Sequence, residues 1–450
     1  VDREYGGMRR GEMWVVNDPY VAGTHLNDVT VVRPVFFNGM LAGFAANKAH
    51  HTDVGGSVPG SMPADAPDLF AEGLVVPPMR LVDGDEPVAA TVALFRANSR
   101  TPDARSGDLR AQTAGNYTGE RRLLELYERY GAGIVEAAVA SLLDASERRM
   151  RNALRALRNG VFESADFLEG LDGAASIRIA LKLTLNDGTA RFDYAGTSEQ
   201  VGFPLNAVFG VTLSGIHYAL RAATDPTIPM NDGCFRPVEA IVPEGTLLNP
   251  RRPAPVSGGN VETSTRNADV VLRALAGGAP ERLPASSGGT MSNVMLGGTR
   301  PDGRAWTFYE TNGCGMGARP TSDGLDGIQC HMTNTLNTPI EAIETEFPLR
   351  VVRYEFAPGT GGAGRYRGGD GLIRAIALTE GSAQASLLAD RHVLPPPGAQ
   401  GGQPGAVGRH ALLRNGVETP LPAKTHLTLQ PGDVLIVQTP GGGGYGTPNG

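Results

Sequence analysis

Cysteine is scarce here: Cys234, Cys314 and Cys330 stand far apart in 450 residues, and no C-x-x-C pair occurs. That spacing argues against a disulfide framework or a zinc knuckle and fits reduced thiols in a cytoplasmic setting. No apolar run approaches the roughly 18 to 20 residues that span a bilayer. Positive charge is not in excess either, with a formal net charge of −7 and a pI near 5.7. Neither nucleic acid nor an anionic membrane is therefore expected as a partner. The chain also lacks a G-x-x-x-x-G-K-[ST] phosphate loop and a G-x-S-x-G nucleophile elbow, so tight ATP binding and serine catalysis find no support. It opens at Val1 with no initiator methionine and soon reaches strand-like "MWVVNDPY", so it reads as cut at its N-terminus.

Glycine is plentiful, at 61 residues with 33 prolines, which predicts many turns and close backbone approaches. Aliphatic and aromatic residues at 41% and charged residues at 19% suit a large folded core. Three regions follow from the pattern: residues 1–115, β-rich; 116–283, mixed α and β; and 284–450, glycine-rich β. In the first, "VTVVRPVFF" and "MLAGFAANKA" flank Asn38-Gly39, a strong hairpin signal. Residues 118–158 carry apolar side chains at helical spacing and predict two helices, "NAVFGVTLSGIHYALRAA" predicts another, and residues 262–276 a fourth, stopped by Gly277-Gly278. "ASIRIALKLTLNDGTARFDYAG" predicts strands about a turn at residues 186–188, and no helix is expected after 284. Without a βαβ rhythm the class is α+β, mainly antiparallel, and not a doubly wound parallel sheet.

The hairpin bears on chemistry. If Asn38-Gly39 is a two-residue turn, Phe37 faces Met40, Asn27 faces His50 and His25 faces Thr52. His25 and His50 then share one face as diagonal neighbours, with Cβ atoms about 5.5 to 8 Å apart, close enough for one metal ion. Pro34 inside the strand implies a bulge that would shift the pairing by one and leave His50 and His51 as alternatives. Metal ligation and plain capping of strand ends stand level on this spacing. Elsewhere, "GNVETSTR", residues 259–266, runs into a helix start, where Thr263 or Ser264 caps the helix, or where Asn260, Arg266 and free N–H groups hold a substrate anion. Glu72 is a surface glutamate, a general base or a metal ligand. "GGGGYG", residues 441–446, leads into no helix and reads as structural glycine, like "GTGGAGRYRGGDG", whose Arg365 and Arg367 are either solvated or aimed at a carboxylate.

"NDPYVAGTHLNDVTVV", "AHHTDVGGSVPGSMP", "AEGLVVPP", "RSGDLRAQ", "GNVETSTR", "GTMSN", "HMTNTLNTPIEAIE", "GGAGRYRGGDG" and "TPGGGGYG", in this order along the whole chain, resemble the hydantoinase B/5-oxoprolinase family. The resemblance implies a subunit of an ATP-dependent hydrolase opening cyclic amides such as hydantoins or 5-oxoproline, with ATP on an A-type partner subunit. Acetone and acetophenone carboxylases have similar subunits, so ketone carboxylation is an alternative, as is a non-catalytic structural role. It implies a divalent metal, zinc, manganese or magnesium, held by His25, His50 and Asp53. A further acidic ligand upstream has no counterpart, the chain starting inside the family pattern. On this reading a metal-activated water attacks a substrate phosphorylated on the partner. Asp28 or Glu72 takes the proton or orients a ligating histidine, and Asn260 and Arg266 bind substrate. An interface above roughly 2,000 Å², with "GGAGRYRGGDG" among its contact surfaces, is expected with the A-type subunit.

Overall fold

A computed structural model describes residues 7–448. Val1, on which the expectation of a cut N-terminus rests, lies outside them. The fold is α+β, with four mostly antiparallel sheets among the described residues. In the first, β1 (Met13–Val16), β2 (Asp28–Phe37), β3 (Met40–His50), β4 (Met79–Asp83) and β5 (Glu86–Pro87) take the order β3-β2-β1-β4-β5. The second holds β6 (Gly160–Glu169), β7 (Ala175–Asn186), β8 (Thr189–Asp193) and β9 (Val238–Ile241), and β8 with β9 is a parallel pair. Strands β10 (Asn293–Thr299), β11 (Ala305–Glu310), β12 (Leu349–Ala357), β13 (Gly371–Leu378), β14 (Ser382–Leu388), β15 (Arg409–Arg414), β16 (Val417–Leu421), β17 (Lys424–Leu429) and β18 (Val434–Gln438) build the other two. Their orders are β11-β10-β14-β17 and β12-β13-β18-β15-β16.

Seven α-helices occur among the described residues: α1 (Leu69–Glu72), α2 (Ala89–Ala97), α3 (Pro102–Tyr130), α4 (Ala132–Arg155), α5 (Phe209–Ala223), α6 (Ser264–Ala276) and α7 (Ile340–Glu346). None is long and apolar enough to cross a membrane. The expected helices are present, but α3 starts well before residue 118 and runs through residue 115. Its buried stripe explains the difference. Arg105, Leu109, Gln112 and Asn116 recur every three or four residues as a helix face should, yet only one of them is apolar. Gln112 Nε2 donates to the Val29 carbonyl and Asn116 Nδ2 to the Val31 carbonyl, so this helix docks on β2 through amides. The short α7, against expectation, interrupts the last region with only Ile343 buried. The largest core lies around β7, β8, α5 and α6, with Leu183, Phe192, Ile216 and Val270 fully buried.

The hairpin forms at Asn38-Gly39, both with positive φ, and Phe37 faces Met40. A bulge follows at once: beyond Phe36 the register shifts and Pro34 lies opposite Phe44. Asp28, not Asn27, therefore faces His50. In the last region the glycines interlock. A Cβ on Gly315 would lie 2.0 Å from the Gly369 carbonyl oxygen, and one on Gly442 would lie 2.1 Å from that of Met316. Structural glycine is thus the role of both glycine-rich loops. "GGAGRYRGGDG" is in good part packed inside, and Arg367 is held by Asp326 and Asp370.

Candidate metal centre

At the open mouth of the hairpin, the one-residue slip sets a carboxylate between two imidazoles. Asp28 opens β2, His50 closes β3, and the Asp28 N–H donates to the His25 carbonyl, so the preceding turn carries His25 back to the strand end. His25 Nδ1 is 2.9 Å from Asp28 Oδ2, and His50 Nδ1 is 3.6 Å from Asp28 Oδ1. The two rings are 5.1 Å apart, and one donor atom from each of the three residues lies within 4.8 Å of the others. The Thr24 hydroxyl also donates to Asp28. Burial alone would raise the Asp28 carboxyl, but the His25 and His50 rings override it and hold it well below the usual range. His50 is lowered by burial, although a third of its side chain is open and Asp28 pulls the other way.

His25 Nδ1 faces both Asp28 and, at 3.2 Å, Asn260 Nδ2. A proton on Nδ1, donated to Asp28, leaves Nε2 with its lone pair free, and this buried atom has no hydrogen-bond partner. Two imidazoles and a carboxylate with an unused buried lone pair suit a divalent cation, and a carboxylate bonded to the far side of a ligating histidine is a common way to fix its tautomer. The donor set therefore fits the metal that the sequence suggested.

Asn260 reaches the cluster because α6 is entered through a π-helical turn, Gly259–Thr263. Such turns concentrate at functional sites. They also alter the expected cap: neither Thr263 nor Ser264 caps α6, Thr263 bonding the Leu205 carbonyl and Ser264 the Asn260 carbonyl. Arg266 is fully buried on α6, donating to the Phe167 carbonyl and lying 3.6 Å from both Asp166 and Asp390. It faces no open anion site.

Other expected residues are not brought together. Asp53 is buried away from the cluster, both oxygens occupied: Oδ1 accepts from Gly55 and Arg100 N–H, and Oδ2 from Gly60 N–H and Arg100 Nη1 at 3.0 Å. The chain leaves the sheet after His50 and folds the carboxylate into its own loop. Glu72 is buried under the segment before the π turn, where Oε1 accepts from Val256 and Ser257 N–H at 2.8 and 2.9 Å. Burial pushes its carboxyl up to about 8 against those two bonds. His51 points to the other face, its Nε2 on Gln112 Oε1 at 3.0 Å, and burial lowers it to about 4. The alternative between the two histidines thus resolves geometrically to His50.

Sequence reasoning missed the support from the last region. Tyr309 on β11 stacks on His50 with ring centres 5.1 Å apart. Its hydroxyl donates to Asn293, which donates in turn to the buried Glu262 of the π turn. Only the π-turn block "GNVETSTR" carried a local signal. Beside the cluster, a cavity of about 440 Å³ is lined by Tyr20, Thr24, Lys48, Phe209, Ser214 and Asn249, among others.

A family model described as hydantoinase B/oxoprolinase matches residues 1–448. The chain is 44% identical over 441 residues to the uncharacterized protein MJ0963 of Methanocaldococcus jannaschii, covering 98% of this chain and 77% of that protein. It is 35% identical over 467 residues to 5-oxoprolinase 1 of Arabidopsis thaliana, covering 98% of this chain but only 36% of that longer protein. Among solved structures, the ATP-dependent caprolactamase from Pseudomonas jessenii superposes with a TM-score of 0.92 at 30% identity, over 98% of this chain and 78% of that one.

Proposed function

The chain belongs to the hydantoinase B/oxoprolinase family, and from that premise we propose that it is the ring-opening subunit of an ATP-dependent cyclic amide hydrolase, with a divalent metal at His25, Asp28 and His50. The observation that carries the reading is the convergence of these donors, with a buried unpartnered His25 Nε2, beside a cavity wide enough for a small ring. When bound, the cation would supply Lewis acidity and a water of lowered pKa. Asp28, set between the two imidazoles, would give the cation its carboxylate ligand. Tyr309 braces His50 from β11, and Asn260 Nδ2 lies 3.2 Å from His25 Nδ1 at the π turn. Lys48 lies two residues before His50 on the same face of β3 and lines the cavity, placed to attract the anionic group of a bound substrate.

ATP belongs on a partner. The phosphate-loop motif is absent from this sequence, and the Arabidopsis 5-oxoprolinase is almost three times as long as the part this chain matches. On the proposed division of labour an A-type subunit phosphorylates the amide oxygen, which turns a poor electrophile into a good one before water attacks. Hydantoins, 5-oxoproline and caprolactam are the substrates to try. Reconstitution with a candidate A-type subunit and ATP, followed by measurement of ADP and ring-opened product, tests the reading. Equal turnover by wild type and by His50→Ala would overturn it. A strict need for bicarbonate would assign ketone carboxylation in its place.

A further inference from the structure

Far from the hairpin, Cys314 and Cys330 meet. Their sulfurs are 3.5 Å apart, with Cys314 donating to Cys330. The backbone brings this about: Cys314 and Ile328 exchange both N–H bonds, and Cys330, two residues on, returns to the same side. Gly288 leaves the room, since a Cβ there would lie 2.6 Å from Cys314 Sγ. Cys330 also lines a second cavity of about 440 Å³, whose wall includes His331, Arg282, Arg319 and Ser287. His331 is held at 3.0 Å by the buried Asp269. Burial would lower that imidazole, but Asp269 overrides it and raises it. The two thiols diverge. Donation by Cys314 draws Cys330 down, while Cys314 itself is pushed well up by that same bond and by burial.

We propose that Cys330 and Cys314 are a peroxide-reactive pair in which Cys330, on the cavity wall, is oxidised first and Cys314 closes the product to a disulfide. The Cys330 sulfur attacks one oxygen of hydrogen peroxide, the O–O bond breaks, and the second oxygen leaves as water with the proton that the Cys330 thiol gives up. That step oxidises the sulfur to a sulfenic acid. Cys314 then attacks the Cys330 sulfur, the S–O bond breaks, and the oxygen leaves as a second water with the Cys314 proton. Two thiols and one peroxide give one disulfide and two waters. The sulfurs need to approach from 3.5 Å to the roughly 2.05 Å of the bond, a closure that side-chain rotation can supply. Cys234 is the internal control, being fully buried with its thiol on the Asn231 carbonyl.

The test uses the full chain, hydrogen peroxide and differential alkylation read by mass spectrometry. A Cys314–Cys330 cross-link is expected, with Cys234 at least about tenfold slower to oxidise. Cys314→Ser should leave a sulfenic acid on Cys330 that dimedone traps, and Cys330→Ser should leave Cys314 reduced. Oxidation of Cys234 at the same rate, or over-oxidised Cys330 without a cross-link in wild type, overturns the proposal. Should Cys314→Ser fail to fold, the wild-type cross-link alone decides.

Discussion

Two clusters of charged side chains, one at the hairpin mouth and one beneath α6, use the same chemistry to opposite ends. Under α6, Arg266, Arg273, Arg391 and Lys424 meet Asp166, Asp269 and Asp390 in a closed network. Asp166 alone is within 3.6 Å of three arginines, and Arg391 reaches it at 2.8 Å. At the hairpin mouth a single carboxylate serves two imidazoles, one ring nitrogen is orphaned, and a third of the His50 side chain is open. The first cluster sets four cations against three carboxylates, although Arg266 Nη2, Asp390 Oδ2 and Lys424 Nζ make no hydrogen bond. The second sets one carboxylate between two imidazoles, and that choice of donors, not the density of charge, marks the candidate centre.

Breaking the closed network should have the largest effect. Arg266→Met strips Asp390 and Asp166 of a buried partner and is expected to cost about 3 to 5 kcal/mol in urea denaturation. A variant as stable as wild type would mean that the network is not what it seems. At the open cluster the expectation reverses. His50→Ala should remove bound metal, by elemental analysis, and lower turnover of the assembled enzyme by more than about a hundredfold, while stability changes by under about 1 kcal/mol. Large unfolding there would place the cluster with the structural networks.

Asp53 sharpens the contrast from between the two. Its four donors make it a loop anchor, so Asp53→Asn should destabilise by about 1 to 3 kcal/mol and leave metal affinity within about twofold. Loss of metal without loss of stability would show that the loop swings Asp53 to the cation. A further test is in pH. Glu72 is raised by burial from 4.5 to about 8, so its contribution to stability is full below about 4.5 and is lost as pH rises to about 8. Glu72→Gln should flatten that part of a plot of melting temperature against pH, and an unchanged slope would locate the titrating group elsewhere.

These contrasts also explain what could be read in advance. The hairpin and its turn were legible because alternation and Asn-Gly are local signals, and Pro34 gave notice of the bulge that seats Asp28 opposite His50, whereas His25 meets His50 through the turn before β2 and not through the strand alternation first expected. Asp53 was assigned by the family resemblance and Arg266 by its place at a predicted helix start, neither of which says anything of counter-charge. The Arg100 that holds one and the Asp390 that faces the other come from distant segments. Tyr309 was invisible for the same reason. The start of α3 was hidden because amides, not aliphatic side chains, line its docking face.

The glycine interlock has a bearing on how this protein is made. Gly315, Gly324, Gly361, Gly369 and Gly442 fit closely against backbone of one another and of Met316, Leu325 and Gly368, from segments scattered through residues 315–442. The earlier segments of that region reach their final packing only once the later ones are made. Assembly there must be late and non-local, governed by loop closure more than by local propensity, and slow in the way high-contact-order topologies are slow. Until it completes, Tyr309 on β11 is not yet held against His50. The candidate metal centre in the first region would thus mature only after residues 309–442 have been made.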